Sequence, residues 1–157
     1  MFFSHNFGHN GPNDFHGLGI NGKISELQAA MGLAVLPHID KIIHTRKKIV
    51  EHYDNTLDFN NLNKIKIREN TLWNYSYYPL IFNSEGTLFK VQKALNDKTI
   101  FPRRYFFPSL NNLNYVDSLP MKISENIASR VLCLPLYVDL GLDELETIIN
   151  IINENVC

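Results

Sequence analysis

The chain has 157 residues, a length that fits a single domain with a buried core. Its 15 Lys and Arg residues nearly balance 16 Asp and Glu residues, so the formal net charge of −1 gives no reason to expect binding to nucleic acid or an anionic membrane. The sequence has no apolar run that could cross a bilayer, no signal-peptide pattern, and too few cysteines for a disulfide framework. Membrane, secreted and nucleic-acid-binding proteins are therefore disfavoured, and a cytoplasmic location is expected.

The first predicted elements are a glycine-rich loop and a capped helix. Residues 1–21 are rich in glycine and polar residues, which predicts loop or extended chain without a helix. Ser25 and Gln28 then fit a capping box, in which each side chain accepts a hydrogen bond from the other residue's backbone N–H. The helix should end near Leu36, because Pro37 lacks an N–H donor and restricts the residue before it. Its apolar positions are Leu27, Ala30, Met31 and Ala34.

Helices and strands alternate in the rest of the chain. An apolar stripe predicts a long helix from about His38 to Leu57. Alternating patterns predict strands at 64–67 and 75–82, and Pro79 places the second at a sheet edge or a bulge. The remaining predictions are a helix from Ser84 to about Asn96, a strand at 99–101, irregular chain at 103–121, a helix at 122–131, an apolar segment at 131–137 and a helix at 143–153. This order predicts an α/β chain with a small mixed sheet covered by helices on one face.

Two N-terminal patterns could bind a ligand. His5, His9 and His16 could ligate a metal, but their spacing aligns the rings only on a helix, so a polar loop that binds an anion or nothing is the favoured interpretation. Residues 17–22 lead through Lys23 into a helix N-terminus and could hold a phosphate, although such segments are more often simple turns. No metal site is predicted.

A third pattern combines two adjacent arginines with aromatic residues at 103–108. A guanidinium can grip two phosphate oxygens and stack on a ring, which suits a planar anion. The alternative is that one arginine is solvated and the aromatic residues belong to the core. The sequence has no Gly-x-Ser-x-Gly motif, and Cys133 lies between two leucines, as expected for a small core residue. No catalytic residue is predicted.

Two blocks resemble a known enzyme family. Residues 6–11 read Asn-Phe-Gly-His-Asn-Gly, and residues 19–33 read Gly-Ile-Asn-Gly-Lys-Ile-Ser-Glu-Leu-Gln-Ala-Ala-Met-Gly-Leu. With the apolar Leu-Pro segment at 131–137, they resemble the sugar-nucleotide aminotransferases of the DegT/DnrJ/StrS type, which are pyridoxal-phosphate enzymes with the aspartate-aminotransferase (type I) fold. Lys23 in place of the commoner arginine, together with residues 103–110, is most similar to members that act on dTDP-linked 3-keto-6-deoxyhexoses.

The resemblance implies the C-terminal part of such an enzyme. The family's Schiff-base lysine, the aspartate that partners the pyridinium nitrogen and the aromatic residue that stacks on the cofactor lie in a motif that these 157 residues do not contain. Residues 1–36 would be the end of the large cofactor-binding domain, and residues 37–157 the connecting helix and the small domain. The complete enzyme would use pyridoxal 5′-phosphate to aminate a nucleotide-linked keto sugar, with an amino-acid donor that we expect to be glutamate.

The resemblance also assigns candidate site residues. Asn21 matches the family asparagine that reaches the cofactor phosphate of the neighbouring subunit in a dimer. Lys23 would add charge near the same phosphate or near the nucleotide of the substrate. Arg103, Arg104 and Tyr105 match positions where the small domain closes over the sugar nucleotide. A homodimer, or pairing with a separate large domain, is expected, and the chain alone should be inactive. The alternatives are a non-catalytic remnant that binds a nucleotide sugar or pairs with a complete subunit and, less favoured, a small metal-binding protein.

Overall fold

The computed structural model describes residues 2–156, which form two compact units divided between Asp40 and Lys41. The helices are α1 (Phe2–His5), α2 (Glu26–Val35), α3 (Ile39–Thr56), α4 (Glu85–Asn96), α5 (Lys122–Ser129) and α6 (Leu142–Asn155). The strands are β1 (Leu62–Lys64), β2 (Tyr78–Phe82) and β3 (Val131–Leu134), and 3-10 turns occur at Leu36–His38 and Leu110–Asn112. Within the part of the chain that the structure describes, no helix is both long and apolar enough to span a membrane. The domain boundary at 36/37 stays a prediction.

The N-terminal loop of the first unit is held by backbone hydrogen bonds and by a close approach of Gly19 to Gly8. The N–H of Ile20 donates to the carbonyl of Ser4 at 2.7 Å, and the N–H of Gly22 donates to the carbonyl of His5 at 2.7 Å. A Cβ at Gly19 would lie only 2.0 Å from the backbone nitrogen of Gly8, so this crossing requires glycine. The prediction of a helix-free loop was wrong only for the four-residue α1, which precedes the first glycine.

The capping box of α2 is confirmed, and the helix starts at Glu26. The Ser25 N–H donates to the Gln28 Oε1 at 2.8 Å, and the Gln28 N–H donates to the Ser25 Oγ at 3.3 Å. None of the α2 residues is buried, and Leu27 is 72% exposed. A helix that is apolar on all sides is normally buried, so α2 lacks the packing partner that its composition requires.

Helix α3 contributes one face to the core of the second unit. It was predicted from His38 to Leu57 and observed as Ile39–Thr56, with Val50 and Tyr53 buried. The Tyr53 hydroxyl donates to the Pro135 carbonyl at 3.0 Å, so the helix is also tied to the chain that follows β3. This bond satisfies a polar group that would otherwise be costly to bury.

The sheet of the second unit has the order β1-β2-β3, and both strand pairs are antiparallel. The prediction of a mixed sheet was therefore wrong in strand direction. After helix α4, the chain around Arg103 runs in the same direction as β2. Strand β3 lies between this segment and β2 and is antiparallel to both. The strand predicted at 99–101 does not form, and the pairing falls on Arg103 instead.

Pro79 lies in the central strand rather than at a sheet edge, which corrects the sequence-based prediction. It faces Cys133 of β3, but the Cys133 backbone hydrogen-bonds on its other side to Arg103. Pro79 and Cys133 are therefore a non-hydrogen-bonded pair of the antiparallel ladder. The backbone nitrogen of Pro79, which carries no hydrogen, faces β1. Pairing with β1 has already ended there, at Lys64 opposite Leu80, and no ladder bond is lost.

The core of the second unit lies between the sheet and helices α3, α4 and α6. As predicted, Ser84 caps α4 by accepting a hydrogen bond from the Thr87 N–H at 3.1 Å. The predicted apolar face of α4 is buried as well. The largest fully buried side chains are Tyr53, Leu80, Phe82, Leu88, Val91, Leu95, Leu132, Leu145, Ile148, Ile149 and Ile152.

Candidate functional site

A cleft of about 720 Å³ opens in the second unit between the Arg103 side of β3 and the start of α6. This volume is within the roughly 300–1,000 Å³ of small-molecule sites. Its lining mixes aromatic, cationic, acidic and aliphatic side chains. The residues that line it are Ser76, Tyr77, Lys98, Thr99, Ile100, Phe101, Arg103, Tyr105, Cys133, Leu134, Pro135, Leu136, Tyr137, Leu140, Asp143, Glu144, Thr147 and Ile148.

Arg103 supplies a cation at the sheet side of the cleft. Its backbone is fixed by two hydrogen bonds with Cys133, at 3.2 and 2.8 Å. Its guanidinium carbon lies 5.9 Å from the centroid of the Tyr105 ring, and the Tyr105 ring lies 5.2 Å from that of Tyr77. Hydrogen bonding with the Tyr105 side chain is the main cause of a raised pKa of the Tyr77 hydroxyl. An exposed cation beside two aromatic faces suits an anion that carries a ring.

Arg104 lies outside the cleft, in a network of its own. Its Nη2 contacts the Glu85 Oε1 at 2.7 Å and donates to the Ser129 carbonyl at 2.8 Å. Its guanidinium carbon lies 3.6 Å from the centroid of the Phe107 ring. The arginine thus links α4 to the end of α5. Its predicted role in substrate binding stays a prediction, and its observed contacts are intramolecular.

The opposite end of the cleft carries acidic groups. The Glu144 Oε2 accepts hydrogen bonds from the Gly141 N–H at 3.3 Å and from the Tyr137 hydroxyl at 3.4 Å. Burial, followed by the Glu144 charge, raises the pKa of the Tyr137 hydroxyl. Sequence reasoning missed Tyr77, Tyr137 and Glu144, because they come from three separate segments. The alternating Tyr75-Ser76-Tyr77 pattern was the one available signal.

The Cys133 thiol lines the cleft and is half-buried. Burial raises its pKa from 9.0 to about 11, because the thiolate loses hydration. We expect iodoacetamide to alkylate Cys133 about 100-fold more slowly at pH 8 in the folded protein than in urea, with the rate rising until about pH 11. Peptide mass spectrometry distinguishes this site from Cys157. Equal rates in folded and unfolded protein would contradict the expectation.

The residues predicted to contact a phosphate in the first unit are exposed. Asn21 pairs with Asn6 through an isolated backbone bridge, and the Lys23 Nζ lies 5.0 Å from the centroid of the Phe7 ring. The capping box already uses the N–H groups of Ser25 and Gln28. The side chains of Asn21 and Lys23, an amide and an ammonium that both donate to oxygen, are the predicted phosphate contacts at this helix start.

The histidines of the first unit show no metal site. His9 packs between aromatic rings, 5.9 Å from Phe7 and 4.7 Å from Phe15 between centroids. Among the residues that the structure describes, no group of three or more His, Cys, Asp or Glu side chains could hold a metal ion. The rings of Phe7 and Phe15 flank His9, whose buried Nδ1 has no hydrogen-bond partner.

Comparison with known proteins assigns the chain to a family. Residues 2–153 match the DegT/DnrJ/EryC1/StrS aminotransferase family. The chain belongs to this family. DegT-family aminotransferases depend on pyridoxal phosphate, and the expected family, fold class and cofactor type are confirmed at this level.

Curated relatives and solved structures agree with this assignment. The chain is 33% identical over 156 residues to the dTDP-4-amino-4,6-dideoxy-D-glucose transaminase of Shigella dysenteriae, covering 95% of this chain and 42% of that protein. It is 37% identical over 134 residues to the Escherichia coli protein of the same name, covering 78% of this chain and 36% of that protein. The chain thus spans about two fifths of these relatives.

Two solved structures illustrate the likeness in fold. A structure of DesI with its TDP-sugar product matches with a TM-score of 0.82 and 25% identity, covering 99% of this chain and 41% of that one. A DegT-family aminotransferase from Brucella abortus matches with a TM-score of 0.80 and 21% identity, covering 98% of this chain and 42% of that one. The second comparison supports the fold alone.

The donor groups of the first unit fit part of the cofactor. The exposed Asn21 amide and Lys23 ammonium suit the phosphate of pyridoxal 5′-phosphate. Attachment of the cofactor also needs a lysine held in a pocket and kept neutral by its surroundings. Lys98 is the lysine that lines the large cleft, and it is exposed there. The residues present therefore fit the phosphate contact, and no residue here is assigned to cofactor attachment.

Proposed function

We propose that the chain is the C-terminal part of a pyridoxal-phosphate-dependent aminotransferase that aminates a nucleotide-linked keto sugar. The observation that carries this proposal is the cleft in which Arg103 lies beside the adjacent rings of Tyr77 and Tyr105. A nucleotide sugar combines a diphosphate with a base, which are the two groups that this arrangement suits. The proposal keeps the cytoplasm as the compartment, as expected from the sequence.

In this proposal, residues of the cleft bind and orient the nucleotide. The Arg103 guanidinium holds diphosphate oxygens, and Lys98 adds positive charge to the lining of the cleft. The faces of Tyr77 and Tyr105 exclude water from one side of the base, and their hydroxyls donate hydrogen bonds. Binding energy from this remote part of the substrate would position the keto carbon for reaction.

The curated relatives favour a particular position on the sugar. Both carry a name that places the amino group on carbon 4 of a 4,6-dideoxyglucose linked to dTDP. The sequence resemblance had suggested 3-keto substrates. Because the chain is 33% and 37% identical to these two relatives, we replace that expectation with amination at carbon 4 of a dTDP-linked 4-keto-6-deoxyhexose.

The first unit supplies the contact with the cofactor phosphate. Asn21 and Lys23 would donate hydrogen bonds to its oxygens, in the active site of a neighbouring subunit. When bound, the cofactor carries the amino group from the amino-acid donor, which we propose to be glutamate, to the keto sugar.

The exposed apolar surface around helix α2 indicates that this unit packs against another polypeptide surface. Helix α2 has no buried residue, and the exposed apolar side chains of this unit include Ile24, Leu27, Met31 and Leu33. Exposed apolar patches of this kind favour association. We propose that they are covered in a homodimer or by the large domain of the family, whether that domain belongs to the same chain or to another.

The test of this function compares the 157-residue polypeptide alone with the complemented protein. Alone, with pyridoxal phosphate, glutamate and dTDP-4-keto-6-deoxyglucose, it should form no amino sugar. It should also retain no cofactor after borohydride reduction and unfolding, as measured by mass spectrometry. Addition of the complementary portion of the Shigella relative should give an amino sugar, because the two pieces together supply the full length of that enzyme.

Two results would count against this assignment. A stoichiometric cofactor adduct on the isolated polypeptide would show that it carries an attachment lysine after all. If isothermal titration calorimetry showed no binding of dTDP to the folded polypeptide, the cleft would not be a nucleotide site. UDP and ADP serve as matched comparison ligands in the same titration.

A further inference from the structure

A smaller pocket of about 310 Å³ opens where β1 separates from β2. Pairing of the two strands ends at Lys64 opposite Leu80, and the chain from Ile65 onward leaves the sheet beside Pro79. The pocket shares no lining residue with the large cleft. It is lined by Asp54, Lys64, Ile65, Lys66, Ile67, Trp73, Tyr78 and Pro79.

The apolar part of this pocket is formed by Trp73, Ile65, Ile67 and Pro79. Trp73 is half-buried, packs against the core and contacts the Tyr75 ring at a tilt of 39°, with 4.5 Å between ring centroids. Ile65 and Ile67 are 41% and 37% exposed. The ring of Pro79, with no N–H to satisfy, completes an apolar enclosure at the lower end of the roughly 300–1,000 Å³ range of ligand pockets.

The charges of the pocket leave one cation without a partner. Asp54 uses both carboxylate oxygens, because Oδ1 accepts a hydrogen bond from the Tyr78 hydroxyl at 2.7 Å and Oδ2 contacts the Lys64 Nζ at 2.6 Å. Within residues 2–156, Lys66 has no hydrogen-bond or ion-pair partner. The acid is therefore neutralised locally, and Lys66 gives the pocket a net positive charge.

We propose that this pocket binds a small carboxylate whose body is a single ring or a branched apolar chain. The apolar body would lie against Trp73 and Pro79, and the carboxylate would pair with the Lys66 ammonium. The volume of about 310 Å³ admits one ring with its carboxylate. This site is separate from the nucleotide cleft, so it stands or falls independently of the proposed function.

Trp73 is the one tryptophan of the chain and reports directly on the pocket. We would titrate the full chain at low salt with cyclohexanecarboxylate, which does not absorb where tryptophan is excited. The expected result is a saturable change in emission, with binding about three- to fivefold weaker for Lys66→Gln. Lys66→Arg should stay within about twofold of the parent, because the charge is kept. Lys90→Gln, an exposed lysine of α4, is the matched control and should bind as the parent does.

The competing outcomes each overturn the proposal. A linear, non-saturable change would mean collisional quenching rather than a site. Equal affinity for the neutral cyclohexanemethanol would show that the pocket does not require a negative charge. Equal affinity for acetate would show that it does not require an apolar body. Unchanged binding in Lys66→Gln, or the same loss in Lys90→Gln, would show that Lys66 has no specific role. Circular dichroism checks that every variant is folded.

Discussion

Replacement of Arg103 with alanine should raise the Kd for dTDP about tenfold and leave the free energy of unfolding nearly unchanged. The reason is that its exposed guanidinium faces the cleft and has no ion-pair partner among the described residues. Replacement of Arg104 should have the opposite effect. Its side chain is only 15% exposed and bonds to Glu85 and Ser129, so its loss should cost about 2–3 kcal/mol of stability.

Calorimetric titration with dTDP and urea unfolding of both variants provide the comparison. Each arginine is the matched control for the other, since they are neighbours of identical chemistry. If Arg104→Ala lost nucleotide affinity while its stability was unchanged, the assignment of the two residues would be reversed. If neither variant changed dTDP affinity, the cleft would not be the nucleotide site.

The second large effect concerns the core that holds this cleft. Phe82 ends β2 and is fully buried, so Phe82→Ala should lower the free energy of unfolding by about 3–5 kcal/mol. That is a large part of the roughly 5–15 kcal/mol by which domains are stable. Phe101, which is 70% exposed, is the matched control, and Phe101→Ala should change stability by less than about 1 kcal/mol.

Urea unfolding followed by circular dichroism measures both phenylalanine variants. A similar small loss in each would mean that Phe82 is not packed as the structure shows. Loss of dTDP binding in Phe101→Ala without loss of stability would extend the cleft's binding surface to that ring.

Elements whose signals are local in sequence were predicted well. The capping box at Ser25, the cap at Ser84 and the apolar stripe of α3 each depend on residues within a turn or two, and all three are confirmed. The strand pairing depends on contacts between distant segments. The sequence could not reveal that β3 enters between β2 and Arg103, and so it misplaced Pro79 and the strand at 99–101.

The candidate site was predicted in part for the same reason. Arg103 and Tyr105 are close in sequence and were selected together, and the structure places both on the large cleft. Tyr77 and Glu144 reach that cleft from other elements, which only the tertiary fold brings near. Adjacent residues of an extended segment point to opposite sides, so Arg103 and Arg104 have different surroundings. Only the structure shows which of the two faces the cleft.

The backbone pairing of Arg103 with Cys133 makes the length of the preceding turn a determinant of which arginine faces the cleft. An inserted or deleted residue between the end of α4 and Arg103 would shift this pairing by one register position. Side chains alternate along an extended segment, so the shift would exchange the two arginines between the cleft and the Glu85 network. Homologues with a turn of different length should therefore carry their cleft-facing cation at a correspondingly displaced position.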